Sequence, residues 1–161
     1  MVEKELKLNG DKRQTLLCLR RNQSSLVSLP KHIRVSSVLN RDVKQFGKQH
    51  LFDEQEETCW NSDQGSPQFI QVNLDQPAQV TEVQIQFQGG FVGKECQLEV
   101  KNTVDNKSKI CNFYPNDINS LQRFPVDCLP VADNLKIVFN TSTDLFGRVI
   151  VYKLDVIGTL M

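Results

Sequence analysis

Catalysis or metal binding in this chain would have to be carried by few side chains. There are two histidines, His32 and His50, and five cysteines, Cys18, Cys59, Cys96, Cys111 and Cys128. A nucleophile needs a base beside it. No GxSxG turn and no catalytic cysteine signature accompanies either histidine, so both are read as surface or hydrogen-bonded residues. No CxxC pair is present, and no Cys/His group has zinc-ligand spacing. Neither a dinucleotide fingerprint nor a P-loop offers a cradle for phosphate. The run Asp53-Glu54-Gln55-Glu56-Glu57 makes Asp53 the one calcium candidate, because a hard cation takes several oxygen ligands. It lacks the DxDxDG spacing of a calcium loop and reads as a solvated acidic loop. The expectation is a non-enzyme with no cofactor and no metal.

What remains is recognition chemistry. Trp60, the single tryptophan, sits in the polar stretch Glu57-Thr58-Cys59-Trp60-Asn61-Ser62-Asp63-Gln64-Gly65. Its indole is expected to plug one end of the fold, with the ring N–H bonded to a loop carbonyl and polar neighbours forming the exposed part. Phe46-Gly47, Phe91-Val92-Gly93 and Asp144-Leu145-Phe146-Gly147-Arg148 each place an aromatic at a loop. Loops that share one end of a scaffold would bring such rings together as a partner-binding surface. The bland alternative tucks each ring under its own loop. Phe146, followed by Gly and Arg, is the ring expected to stay exposed.

The elements that must position these loops are strands. Ile70, Val72 and Leu74 alternate with Gln71 and Asn73; then Val83, Ile85 and Phe87 alternate with glutamines. Pro77 is read as a break between the two runs, and Gly89-Gly90 as a turn. Cys96-Gln97-Leu98-Glu99-Val100-Lys101 repeats the pattern, and shorter strands are expected at 109–114 and 121–124. The last two are 135–139 and 148–157, the latter apolar on both faces and expected to be covered on both sides. With no amphipathic helix, this is an all-β sandwich or barrel.

Composition agrees with a single globular domain. The chain has 161 residues, 39% hydrophobic and 24% charged, with 19 basic against 19 acidic side chains. Zero net charge argues against general phosphate-backbone binding, so no direct nucleic acid partner is expected. No apolar run is long enough to span a membrane. Residues 1–24 read as a flexible N-terminal extension and 25–161 as the domain. An odd cysteine count and the absence of a signal-peptide pattern point to a reducing compartment. The three Asn-x-Ser sequons at Asn22, Asn106 and Asn140 are therefore expected to stay unmodified.

The run Leu51-Phe52-Asp53-Glu54, the Trp60 block, Gln68-Phe69-Ile70-Gln71-Val72-Asn73-Leu74 and the closing Tyr152-Lys153-Leu154-Asp155-Val156-Ile157-Gly158 together resemble a discoidin domain. This is the factor V/VIII type C group of galactose-binding-like folds, and the resemblance implies an eight-stranded jelly-roll β-sandwich. Arg34 to Arg41, Gln45-Phe46-Gly47-Lys48, Gln84 to Phe91, Phe113-Tyr114-Pro115 and Phe146-Gly147-Arg148-Val149 further resemble a family of small nuclear proteins that associate with an orphan nuclear receptor. That resemblance implies a regulator of the nucleus, with the cytoplasm as its second location, that binds the receptor protein and represses transactivation. It is expected to be a monomer when free. The alternatives are a lectin-like sugar-binding module or a Doc-like ubiquitin-ligase adaptor. Sugar-binding relatives hold calcium with the aspartate matching Asp53 and an acidic residue where this chain has Lys153. The partner-binding set is read as Arg41, Phe46, Asn61, Asp63, Phe91, Phe146 and Arg148.

Overall fold

The computed structural model describes residues 23–27 and 32–161. Residues 1–22 of the expected N-terminal extension lie outside the described residues. Nine strands are described: β1 (Ser24–Ser25), β2 (His32–Val35), β3 (Trp60–Asn61), β4 (Gln68–Phe87), β5 (Cys96–Lys101), β6 (Ser108–Phe113), β7 (Gln122–Pro125), β8 (Ala132–Phe139) and β9 (Ile150–Leu160). Two of them, β1 and β3, are two-residue pairings. A single helical turn, α1 (Val43–Phe46), lies between the 3-10 turns Leu39–Arg41 and Lys48–Leu51.

β4 organises the sandwich. Its first part pairs antiparallel with β2 and β8, and its second part with β7 and β9. One layer therefore runs β2-β4-β8-β5-β6, while the other holds β7, β4 and β9, with β1 and β3 beside β9. Alternation explains which side chains face inward. Ile70 and Val72 of the first part, and Val83, Ile85 and Phe87 of the second, join a single buried cluster with Leu98 and Val100 of β5.

Pro77 does not break β4, contrary to the sequence expectation. Pairing with β8 stops at Asn73 and resumes at Ala78, and Pro77 falls in that irregular gap, where the ladder asks for no N–H. Its carbonyl accepts the Met161 N–H at 3.0 Å. A second irregularity, between Val80 and Glu82, switches the inward positions from even to odd numbers. In β9 the same device overturns the expectation of a strand covered on both sides. Gln86 pairs with Lys153 but Phe87 with Val151, so Tyr152 is bulged out. Val151 then faces the core on one side of the bulge, and Leu154 and Val156 on the other.

Both ends of β4 arrive at the same end of the sandwich. Gln68 pairs with Phe139, the last residue of β8, and Phe87 pairs with Val151 near the start of β9. There the rings of Trp60 and Phe87 pack on Phe139 from the opposite layer, with centroids 6.2 and 5.8 Å away. Phe113 and Phe124 close the layers along the β6–β7 side at 4.8 Å. The connections 36–59, 62–67, 88–95, 114–121 and 140–149 all leave from this end, which forms a rim.

Candidate functional site

The rim begins with a buried indole. Trp60 is fully buried, and its Nε1–H donates to the Ser37 carbonyl at 2.9 Å. Of the polar neighbours expected to be exposed, Glu57 and Gln64 are, whereas Asn61 and Ser62 are not. Asn61 is 6% exposed and Ser62 is fully buried, because β3 pairs with β9 and Ser62 exchanges bonds with Val149. Asn61 is thus not open to a partner, and its Oδ1 is buried without a hydrogen-bond partner. Asp63 is half-buried, and its N–H donates to Ser37 Oγ.

Gln68 ties two rim loops together. Its Oε1 accepts from the Ser36 and Ser37 hydroxyls, and its Nε2 donates to the Asp63 and Gly65 carbonyls at 3.1 and 2.8 Å. It is buried. Gln122 does the same for the 114–121 loop, accepting the Asn116 N–H at 2.8 Å and donating to the Asn116 carbonyl at 2.9 Å. Neither glutamine is among the candidate site residues that the sequence suggests. The signal for Gln68 was present, since it shares the core-facing parity of Ile70 and Val72.

The remaining loops interlock. Gly89 and Gly90 N–H donate to Asn119 Oδ1 and Asp117 Oδ1, joining the 88–95 loop to 114–121. Val92 N–H donates to Thr143 Oγ1, and Thr143 N–H to the Val92 carbonyl, joining it to 140–149. Gly65 N–H donates to the Phe146 carbonyl at 2.8 Å. Gly147 adopts φ +83°, and a Cβ there would lie 2.7 Å from Ser66 Oγ and 2.8 Å from the Gly65 carbonyl.

Arg148 is spoken for within its own loop. Its Nε donates to Asp144 Oδ2 at 3.2 Å, and its guanidinium lies 4.9 Å from the centre of the Phe91 ring. Arg148 and Phe91, both expected to face a partner, are half-buried and brace each other. Leu145 and Phe146, next to this brace, are 91% and 57% exposed. Leu145 was missed because an apolar residue in a loop carries no periodicity. Tyr114 and Ile118 on the neighbouring loop add further exposed apolar surface. Phe46 sits half-buried on α1, and Arg41 is exposed in the 3-10 turn at φ +57°. Among the described residues no hydrogen bond or ring contact links either side chain to the Leu145–Phe146 tip.

Asp53 and His50 form a separate knot below α1. Asp53 accepts from the Gln55 N–H, the Thr58 hydroxyl and His50 Nδ1, the last at 3.0 Å. Burial would raise the Asp53 pKa, but these donors outweigh it and hold it below the ordinary carboxylate value. Burial would likewise lower the His50 pKa, and the Lys44 carbonyl and Asp53 carboxylate more than reverse it. No group of three His, Cys, Asp or Glu side chains positioned for a metal is found among the described residues. Lys153, where sugar-binding relatives are expected to carry an acidic residue, lines a small cavity with Glu54 and Asp155.

A model of the F5/8 type C family, described as a NedA-like, galactose-binding domain, matches residues 50–131. The zebrafish (Danio rerio) nuclear receptor 2C2-associated protein is 57% identical over 134 residues, covering 83% of this chain and 95% of that protein. The chain belongs to the nuclear receptor 2C2-associated protein family. The human nuclear receptor 2C2-associated protein is 53% identical over 125 residues, covering 78% of this chain and 89% of its own length. To the solved structures of low identity the likeness is of fold alone. The family 32 carbohydrate-binding module of C. perfringens NanJ, solved with galactose, superposes with a TM-score of 0.69 at 16% identity, covering 84% of this chain and 98% of the module.

Proposed function

We propose that the chain is a non-enzymatic binding module that docks through its rim on a nuclear receptor protein and represses transactivation by hindering the receptor's attachment to its DNA element or its dimerisation. The receptor partner is taken from the name of its relatives. One observation carries the choice of surface: Leu145 and Phe146 stand exposed on a loop fixed by the Asp144–Arg148–Phe91 brace. Large apolar side chains held out by a rigid support lose little entropy on docking and suit the centre of an interface. Arg41, Phe46 and Asp63 border the same end and serve as a polar and aromatic margin, while Asn61, Phe91 and Arg148 act as scaffold. The protein works in the nucleus, as a monomer when free, with no direct contact to nucleic acid. No helix among the described residues is long and apolar enough to cross a membrane.

Burying a Leu and a Phe side chain stabilises an interface by roughly 3 kcal/mol, equivalent to about a hundredfold in affinity. Leu145→Ala with Phe146→Ala should therefore weaken binding to purified receptor by that factor, and should relieve inhibition in a gel-shift of receptor on its DNA element. The melting temperature should hold, because both side chains are exposed. Undiminished binding by the folded double variant would remove the rim from the reading. Saturable binding on a glycan array would favour the lectin reading instead, and co-purification with ligase subunits the adaptor reading.

A further inference from the structure

The outer face of the β2–β4–β8 layer carries chemistry that the rim does not use. Cross-strand register puts His32 opposite Asn73 and Arg34 opposite Gln71, and on the other side of β4 it puts Lys136 opposite Gln71. These residues occupy the outward parity, since Val72 and Ile70 point into the core. Lys48 reaches the same place from the 48–51 turn, its Nζ donating to the Ile33 carbonyl at 2.6 Å across the free edge of β2. One ammonium proton is used there and two remain. Between these groups lies a cavity of about 250 Å³ lined by His32, Ile33, Arg34, Lys48, Gln71 and Asn73. Its lining combines two permanent cations, an imidazole and two amides, with no carboxylate. Asn73 Oδ1 already accepts from Asn134, which leaves its amide hydrogens to donate.

In a chain of zero net charge, such a concentration is a local excess and not a consequence of composition. We propose that this pocket binds an acidic segment of a protein partner, with carboxylate side chains received by Arg34, Lys48 and His32. The segment would lie along the free edge of β2, where Lys48 reaches in from the 36–59 connection, and its binding does not call on the Leu145–Phe146 tip. Phe69 argues against a nucleic acid occupant. Its ring is flanked by Arg34 at 5.8 Å and Lys136 at 4.5 Å, so its faces meet these cations and are not laid open for base stacking. The pocket is also compact, whereas a nucleic acid backbone needs a continuous basic track.

The test uses the full chain and a fluorescein-labelled hexaglutamate peptide, read by anisotropy at low and at physiological ionic strength. Arg34→Gln with Lys48→Gln should weaken binding by about tenfold, and the charge-matched control Lys94→Gln with Lys107→Gln by less than about twofold. Because Lys48 also secures the β2 edge, Arg34→Gln with His32→Gln provides a second variant that leaves that bond in place; it too should weaken binding severalfold. Equal losses in the pocket and control variants would overturn the proposal. So would equal binding of a hexaglutamine peptide, or tighter binding of a single- or double-stranded oligonucleotide.

Discussion

Replacing Gln68 should damage the rim more than any exposed substitution, and the size of the effect follows from its bonds. Its amide makes four hydrogen bonds, to Ser36, Ser37, Asp63 and Gly65, from a buried position. At about 1 kcal/mol net for each bond, Gln68→Leu loses about 4 kcal/mol, and the added apolar burial returns about 1 kcal/mol. A net loss of about 3 kcal/mol shifts the urea midpoint down by about 1.5 M for an m-value near 2 kcal/mol/M. Gln68→Glu separates the acceptor role from the donor role. One carboxylate oxygen still receives both serine hydroxyls, but the other faces two carbonyls with no proton to give. Such a buried carboxylate has a raised pKa, so the variant's stability is lowest above that raised value and recovers as the pH falls toward the ordinary Glu pKa. Urea titrations of both variants across a pH series check this. A loss below about 1 kcal/mol for Gln68→Leu, or a Gln68→Glu curve with no more pH dependence than wild type, would refute the reasoning.

Three further outcomes are expected. His50 has a raised folded pKa, so its contribution is fully present below its ordinary value of 6.5 and is lost as the pH rises through the folded value; a pH series of melting temperatures should show this fall, and His50→Gln should flatten it. Gly147→Ala combines a positive φ with a clash at the Gly65 carbonyl, so it should cost about 1–2 kcal/mol by chemical denaturation and displace the Leu145–Phe146 tip. Burial pushes the Cys96 thiol up to about 12, whereas Cys128 is exposed, so mass-spectrometric mapping of alkylation at mildly alkaline pH should find Cys128 modified well before Cys96.

The two-residue period made most of the fold legible. β5 falls on the expected six residues, and the inward Val83, Ile85 and Phe87 are buried as their alternation required. The errors share a cause. At Pro77 and Tyr152 the chain inserts irregularities that shift the pairing, and alternation alone cannot report which residue is skipped. The site was less legible. The Trp60 block and the loop aromatics do come to one end of the sandwich, but exposure within a loop depends on its path. The Arg148–Phe91 stack half-buries two expected contact residues, while Leu145, in the same loop, stands exposed. Gln68 and Gln122 bind backbone of loops from other stretches of chain, relations that no short sequence window contains.

β4 lends its length to both leaves, so neither leaf owns a complete set of neighbours without it. Fraying that strand at its bend would expose amides on the two sides together, and slow hydrogen exchange should accordingly be lost in one concerted event spanning β8 and β9. A molecule built this way has no half that can open to admit a partner. A partner that docks as proposed would meet an already finished surface and would be selected by what the loops and outer faces present.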